Sequence, residues 1–194
     1  MKSFEYDYRY LKAGVGELEN YVLSNDVFWP MDIRPPAGES GYPRLTLGSL
    51  LLSRKRLSAY PKTPEQTSQL ETVISDMDKI RSNWRVAWEK KAARSFGVRL
   101  KMWRDFIEEY RQGPLDNADR YAYEVRLRVM LALLKPEGGG QISAEADLLG
   151  VLDKFLNSVL ITEGFIWEPQ LQPIFPVNIY WYLYGRLPSM PMKD

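Results

Sequence analysis

The sequence predicts an all-α fold: a single-domain bundle of five to six helices, followed by an extended C-terminal arm rich in aromatic residues and proline. Two observations lead to this prediction. Apolar residues recur at steps of three and four along most of the chain, which is typical of a buried helix face. Several of these periodic segments also carry residues that favour helix ends. We expect one domain over 1–194, with the bundle in 1–163 and the arm in 164–194.

The first third of the chain predicts two helices separated by a loop. The first helix is expected over 4–24, because apolar residues from Tyr8 to Val22 fall on one helical face. Residues 25–43 follow as a loop, since four prolines and two glycines break any regular period. The helical period resumes over 44–59 and ends in a basic run, which suits the negative end of a helix dipole.

The longest periodic segment covers 64–112 and has a well-marked beginning. Thr63 stands at the cap position, Pro64 at the first helical position and Gln66 three residues after the cap, which is the pattern of a capping box. An unbroken helix of this length would measure roughly 70 Å. A break near Ser95–Gly97 therefore remains an alternative to one continuous helix.

The last third predicts two more helices and the arm. Gly113 and a following proline end the long helix, and the next helix, over about 117–135, is expected to pack antiparallel to it. A glycine-rich turn leads to a helix over 143–162. The arm, 164–194, is punctuated by prolines, and we expect a short aromatic helix over 177–184.

The composition excludes several classes of chemistry. The chain has no cysteine and no histidine, so Ser-His and Cys-His mechanisms and zinc–thiolate sites are excluded for this chain acting alone. Its net charge is +1, which offers no overall attraction to nucleic acid or anionic lipid. We find no pattern for a cofactor or a metal. The first residues lack the apolar stretch of a signal peptide, and we expect a cytoplasmic protein without a membrane partner.

The segment 79–104 is a candidate nucleic-acid site. It holds nine basic residues and one acidic residue, with Trp84, Trp88, Phe96 and Trp103 interleaved. Basic side chains neutralise phosphates and aromatic rings stack on unpaired bases. In the simpler interpretation, the aromatic residues are buried and the charges form the solvated face of a helix. The basic residues that would carry nucleic-acid binding are Arg81, Arg85, Lys90, Lys91, Arg94, Arg99 and Lys101.

The arm is a candidate surface for protein partners, because tyrosine and tryptophan are enriched at interface hot spots. One helix face cannot bury all of its closely spaced aromatic residues, although the arm could instead lie across the bundle. The candidate interaction residues are Trp167, Phe175, Tyr180, Trp181 and Tyr184.

Carboxylates provide a weaker functional signal. Asp105, Glu108 and Glu109 share a helix face, but basic residues at helical spacing indicate ion pairing rather than catalysis. The sequence therefore favours a non-catalytic interaction or scaffold module that associates with itself or another protein. Nucleic-acid binding through 79–104 is the first alternative. An enzyme that works with carboxylates, tyrosine or lysine is the second, and no catalytic residue is nominated.

Overall fold

The computed structural model describes residues 3–39 and 41–189, and over this part of the chain the protein is mostly helical. The predicted all-α class is confirmed. The α-helices are α1 Phe4–Gly16, α2 Leu18–Leu23, α3 Leu47–Leu57, α4 Pro64–Asn83, α5 Arg85–Gln112, α6 Pro114–Asn117, α7 Tyr121–Leu134, α8 Ser143–Val159 and α9 Val177–Tyr180. Short 3₁₀ helices cover Ala118–Arg120, Lys135–Glu137, Gly139–Ile142, Pro169–Ile174 and Trp181–Leu183. Two short strands, β1 Ile161–Thr162 and β2 Gly185–Arg186, pair antiparallel.

Side-chain caps explain where several helices begin. The Ser3 hydroxyl accepts a hydrogen bond from the Tyr6 amide at the start of α1. Thr46 and Thr63 each form a capping box, at the starts of α3 and α4, in which side chain and backbone bond reciprocally. The second of these boxes is the one predicted from the sequence.

The structure corrects the prediction for residues 64–112. The helix breaks at Trp84, whose backbone leaves helical geometry, whereas α5 runs unbroken through Ser95–Gly97. Glu137 fixes both sides of this break, because one of its carboxylate oxygens forms an ion pair with Arg81 on α4 and accepts a hydrogen bond from the Trp88 indole on α5. The predicted helix over 4–24 is likewise divided, at Glu17.

Helix α5 lies at the centre of the fold and packs against α7. The ring centres of Trp103 and Tyr121 lie 6.5 Å apart. The guanidinium carbon of Arg120 lies 5.6 Å from the centre of the Phe106 ring. As residue numbers fall along α5 they rise along α7, so the two helices are antiparallel. On the other side of the fold, α1 approaches α3 closely at Gly14, where a Cβ atom would lie 2.6 Å from a Leu50 methyl carbon.

The C-terminal arm is folded onto the helices. Phe175 and Tyr182 are fully buried, and the Tyr121 hydroxyl donates to the Tyr182 carbonyl oxygen. The Tyr110 hydroxyl donates to the carbonyl of Pro188 at 3.1 Å, close to the end of the described chain. Residues 190–194 of the predicted arm lie outside the described residues.

Within residues 3–39 and 41–189, none of the helices combines the length and the apolar character needed to cross a bilayer.

Candidate functional site

The seven basic residues of the predicted nucleic-acid site do not form one surface. Arg81 and Arg85 are exposed, but each forms an ion pair with a glutamate of the same chain at 2.9 Å. Lys91 and Arg99 are buried within the fold. The exposed remainder, which falls on one face of α5, consists of Lys90, Arg94 and Lys101.

Most of the aromatic residues in that segment belong to the core. Trp88, Phe96 and Trp103 are at most 2% exposed, whereas Trp84 at the helix break is 39% exposed. A ring that stacks on a base must present a free face. Of these four aromatic side chains, Trp84 alone has a substantially exposed surface.

Lys91 is a buried lysine whose ammonium group is fully engaged. Its Nζ donates to the carbonyl oxygens of Ser24 and Asp26 at 2.8 and 2.7 Å and to the Ser24 hydroxyl at 3.1 Å. It also lies over the Tyr21 ring at 4.4 Å. Burial, together with the nearby charge of Arg94, lowers the pKa of Lys91 to about 8. The lysine thus ties α5 to the C-terminal end of α2.

Arg99 carries a buried positive charge without a described acidic partner. Its Nη2 donates to the Thr46 hydroxyl at 3.0 Å and its Nη1 to the Met102 sulfur at 3.3 Å. The buried Nε has no hydrogen-bond partner within the described chain. Phe28 lies 5.0 Å from the guanidinium carbon. Burial lowers the pKa of Arg99, and the positive charge of Arg126 lowers it further.

Arg126 belongs to the same basic region and is held from its own helix, α7. Its guanidinium carbon lies 3.4 Å from the centre of the Tyr123 ring. Nη1 donates to the Tyr123 carbonyl at 2.9 Å and to the carboxylate of Glu124 at 3.2 Å. Glu124 also lies 3.6 Å from Arg120, so this carboxylate forms ion pairs with two arginines.

We call this region the arginine surface and define it by Phe28, Arg99, Met102, Tyr123 and Arg126. Phe28 and Met102 are each 37% exposed, and Tyr123 is 65% exposed. The surface combines positive charge with exposed aromatic and thioether groups, and these residue types are enriched at the centres of protein interfaces. Such an arrangement is suited to binding an anionic group that is accompanied by apolar contacts.

The residues predicted as an interaction surface in the arm largely face their own chain. Phe175 and Tyr180 are buried, and the Lys55 ammonium lies 5.2 Å from the centre of each ring. Both therefore present no contact surface while the arm is docked. The other three side chains are half-buried: Trp167, Trp181 and Tyr184.

The carboxylates singled out in the sequence pair with neighbouring arginines. Asp105 bonds Arg104 at 3.1 Å, and Glu108 bonds Arg111 at 3.2 Å. Glu109 likewise pairs with an arginine. Among residues 3–39 and 41–189, no group of three or more acidic side chains is arranged to hold a metal ion.

Sequence reasoning missed the arginine surface because its members come from separate segments. Phe28 belongs to the loop after α2, Met102 to α5 and Tyr123 to α7. One signal was present, since Lys91, Ser95 and Arg99 recur at steps of four beside the apolar stripe of α5. A helix at the centre of a fold is buried on more than one face, so this polar row is buried as well.

No family model, curated protein or solved structure matches this chain.

Proposed function

We propose that the chain is a non-catalytic helical interaction module that associates with a second copy of itself through the arginine surface. The observation that carries this proposal is the buried charge of Arg99, which lacks a described acidic partner and lies between two exposed apolar side chains, Phe28 and Met102. Burying a charge is costly unless the charge is paired. A partner that supplies an anion would offset the cost of the buried charge. The same contact would cover the exposed apolar side chains of Phe28 and Met102.

The ion pairs elsewhere in the molecule support a structural role for two carboxylates that lie between helices. Asp7, which is 1% exposed, bonds Arg56 at 2.9 Å, and Asp153 forms a two-pronged pair with Arg128 at 2.7 Å. These carboxylates hold helices together. We also propose a single domain over 1–194, which suits the length of the chain, and a cytoplasmic location.

Sedimentation velocity of the full chain over a wide concentration range tests self-association. We expect a monomer–dimer equilibrium that the double variant Phe28→Ser/Tyr123→Ser shifts towards monomer. Ile179→Ser is the matched control, because Ile179 is 57% exposed but lies outside the arginine surface. A wild-type chain that stays monomeric at every concentration contradicts the proposal.

Nucleic-acid binding stays the second candidate, favoured by the exposed row of Lys90, Arg94 and Lys101 on α5. Replacing all three by glutamine should abolish retention of the protein on immobilised single-stranded DNA at low salt. Unchanged retention of the variant, or no retention of the wild-type chain, argues against this candidate.

A further inference from the structure

The Nη1 atom of Arg99 donates its hydrogen bond to a weak acceptor, and a stronger acceptor can take that place. A thioether sulfur is a weak hydrogen-bond acceptor, and Met102, which supplies it, is an unbranched and partly exposed side chain. A carboxylate at the same position would form a charge-assisted hydrogen bond, which is roughly twice as strong as a neutral one. The site is therefore open to an anion that displaces Met102.

A second guanidinium, that of Arg126 on α7, adds positive charge to this region. The charge of Arg126 is close enough to lower the pKa of Arg99, and Arg126 is already bonded to Glu124. Glu109 and Glu124 supply the carboxylates for Arg120 and Arg126, so the unbalanced positive charge of this region is that of Arg99. An incoming carboxylate therefore meets one arginine without a described acidic partner and a second arginine that shares its carboxylate.

The turn between α5 and α7 carries the complementary groups. Leu115 is 69% exposed, and the exposed Asp116 and Asp119 follow it in the sequence. Neither aspartate forms an ion pair or a side-chain hydrogen bond with another described residue. We call these three residues the acidic tip. An exposed leucine followed by two free carboxylates matches a surface of arginines framed by apolar groups.

We propose that the acidic tip of one copy binds the arginine surface of a second copy, and reciprocally. This rests on the proposed self-association and names the contact responsible for it. Asp119 lies in the 3₁₀ helix that leads directly into α7, and Tyr123 and Arg126 follow on α7 at a helical step of three, so the tip stands at the N-terminal end of the helix that carries part of the surface. About 10 Å separates Asp119 from Arg126 along the helix axis. A two-fold axis then forms both contacts at once and closes the assembly as a dimer.

Charge reversal tests this contact in the full-length chain. Sedimentation velocity should show that Arg126→Glu weakens dimerisation by at least about tenfold, and that the double variant Asp116→Arg/Asp119→Arg does the same. An equimolar mixture of the two variants should regain a dimer, because such a heterodimer contains one native contact and one contact with both charges reversed.

Two controls each reverse one charge outside the contact, one in either direction. Lys90→Glu on α5 and Glu71→Arg on α4 both alter exposed residues and should dimerise like the wild type. Circular dichroism establishes that each variant is folded.

The outcomes separate the two proposals. Charge variants that dimerise as well as the wild type, or a mixture that stays monomeric, overturn the tip contact while self-association stands. A monomeric wild-type chain overturns both.

Discussion

Replacing Lys91 by methionine should change how the stability of the protein depends on pH. Lys91 is 2% exposed, and burial lowers its pKa from 10.5 to about 8. Between these two values the unfolded chain keeps the proton and the folded chain has lost it. Stability therefore rises with pH in this window, because the unfolded state binds more protons. The cost of burying the charged amine is fully present below pH 8 and is relieved above it.

The magnitude follows from the difference between the two pKa values. Each pH unit in the middle of this window corresponds to about 1.4 kcal/mol for one proton. From pH 7.5 to 9.5, the unfolding free energy of the wild type should rise by about 2 kcal/mol relative to Lys91→Met. The comparison cancels the ionisation of tyrosines, which both proteins share.

Urea unfolding at pH 7.5, 8.5 and 9.5 measures this difference directly. Lys90→Met, a change at the exposed neighbouring lysine, is the matched control and should follow the wild type across the series. A difference between wild type and Lys91→Met that stays constant with pH would refute the reasoning about the buried amine.

Three further predictions concern packing and ion pairs, and each is tested by thermal or urea unfolding. Gly97→Ala should stabilise α5 by about 1 kcal/mol, because no atom lies within 4 Å of the added methyl group and alanine favours helix; a loss of stability would contradict this. Gly185→Ala should destabilise by about 2 kcal/mol, since its Cβ would lie 2.6 Å from a backbone carbonyl oxygen; a neutral effect would show that the small sheet yields. Arg56→Met should cost about 4 kcal/mol by removing the counter-ion of buried Asp7, whereas Arg54→Met, at a half-exposed pair, should cost less than about 1 kcal/mol; equal costs would contradict this ranking.

Local patterns predicted the helical class and several helix ends correctly. The capping box at Thr63 and the stop at Gly113 act within a few residues, so they can be read directly from the sequence. The break at Trp84 could not be predicted in the same way. It is fixed by Glu137, which lies about 50 residues further along the chain and bonds both adjoining helices.

The candidate site was harder to predict because burial decides the role of each basic residue. Lys91 and Arg99 resemble surface cations in the sequence, yet both are buried, since α5 is covered by α2, α3 and α7. Aromatic density in the arm fitted either an exposed partner surface or an arm lying across the bundle. In the structure, Phe175 and Tyr180 hold the arm against α3, with Lys55 beside both rings.

The contact between the acidic tip and the arginine surface can be tested by cross-linking, because the chain has no cysteine of its own. A Leu115→Cys chain mixed with a Tyr123→Cys chain should form a disulfide-linked heterodimer under mild oxidation. Its yield should greatly exceed that of Leu115→Cys mixed with Ser82→Cys, an exposed position on α4. Equal yields from the two mixtures would contradict association of two copies through this surface.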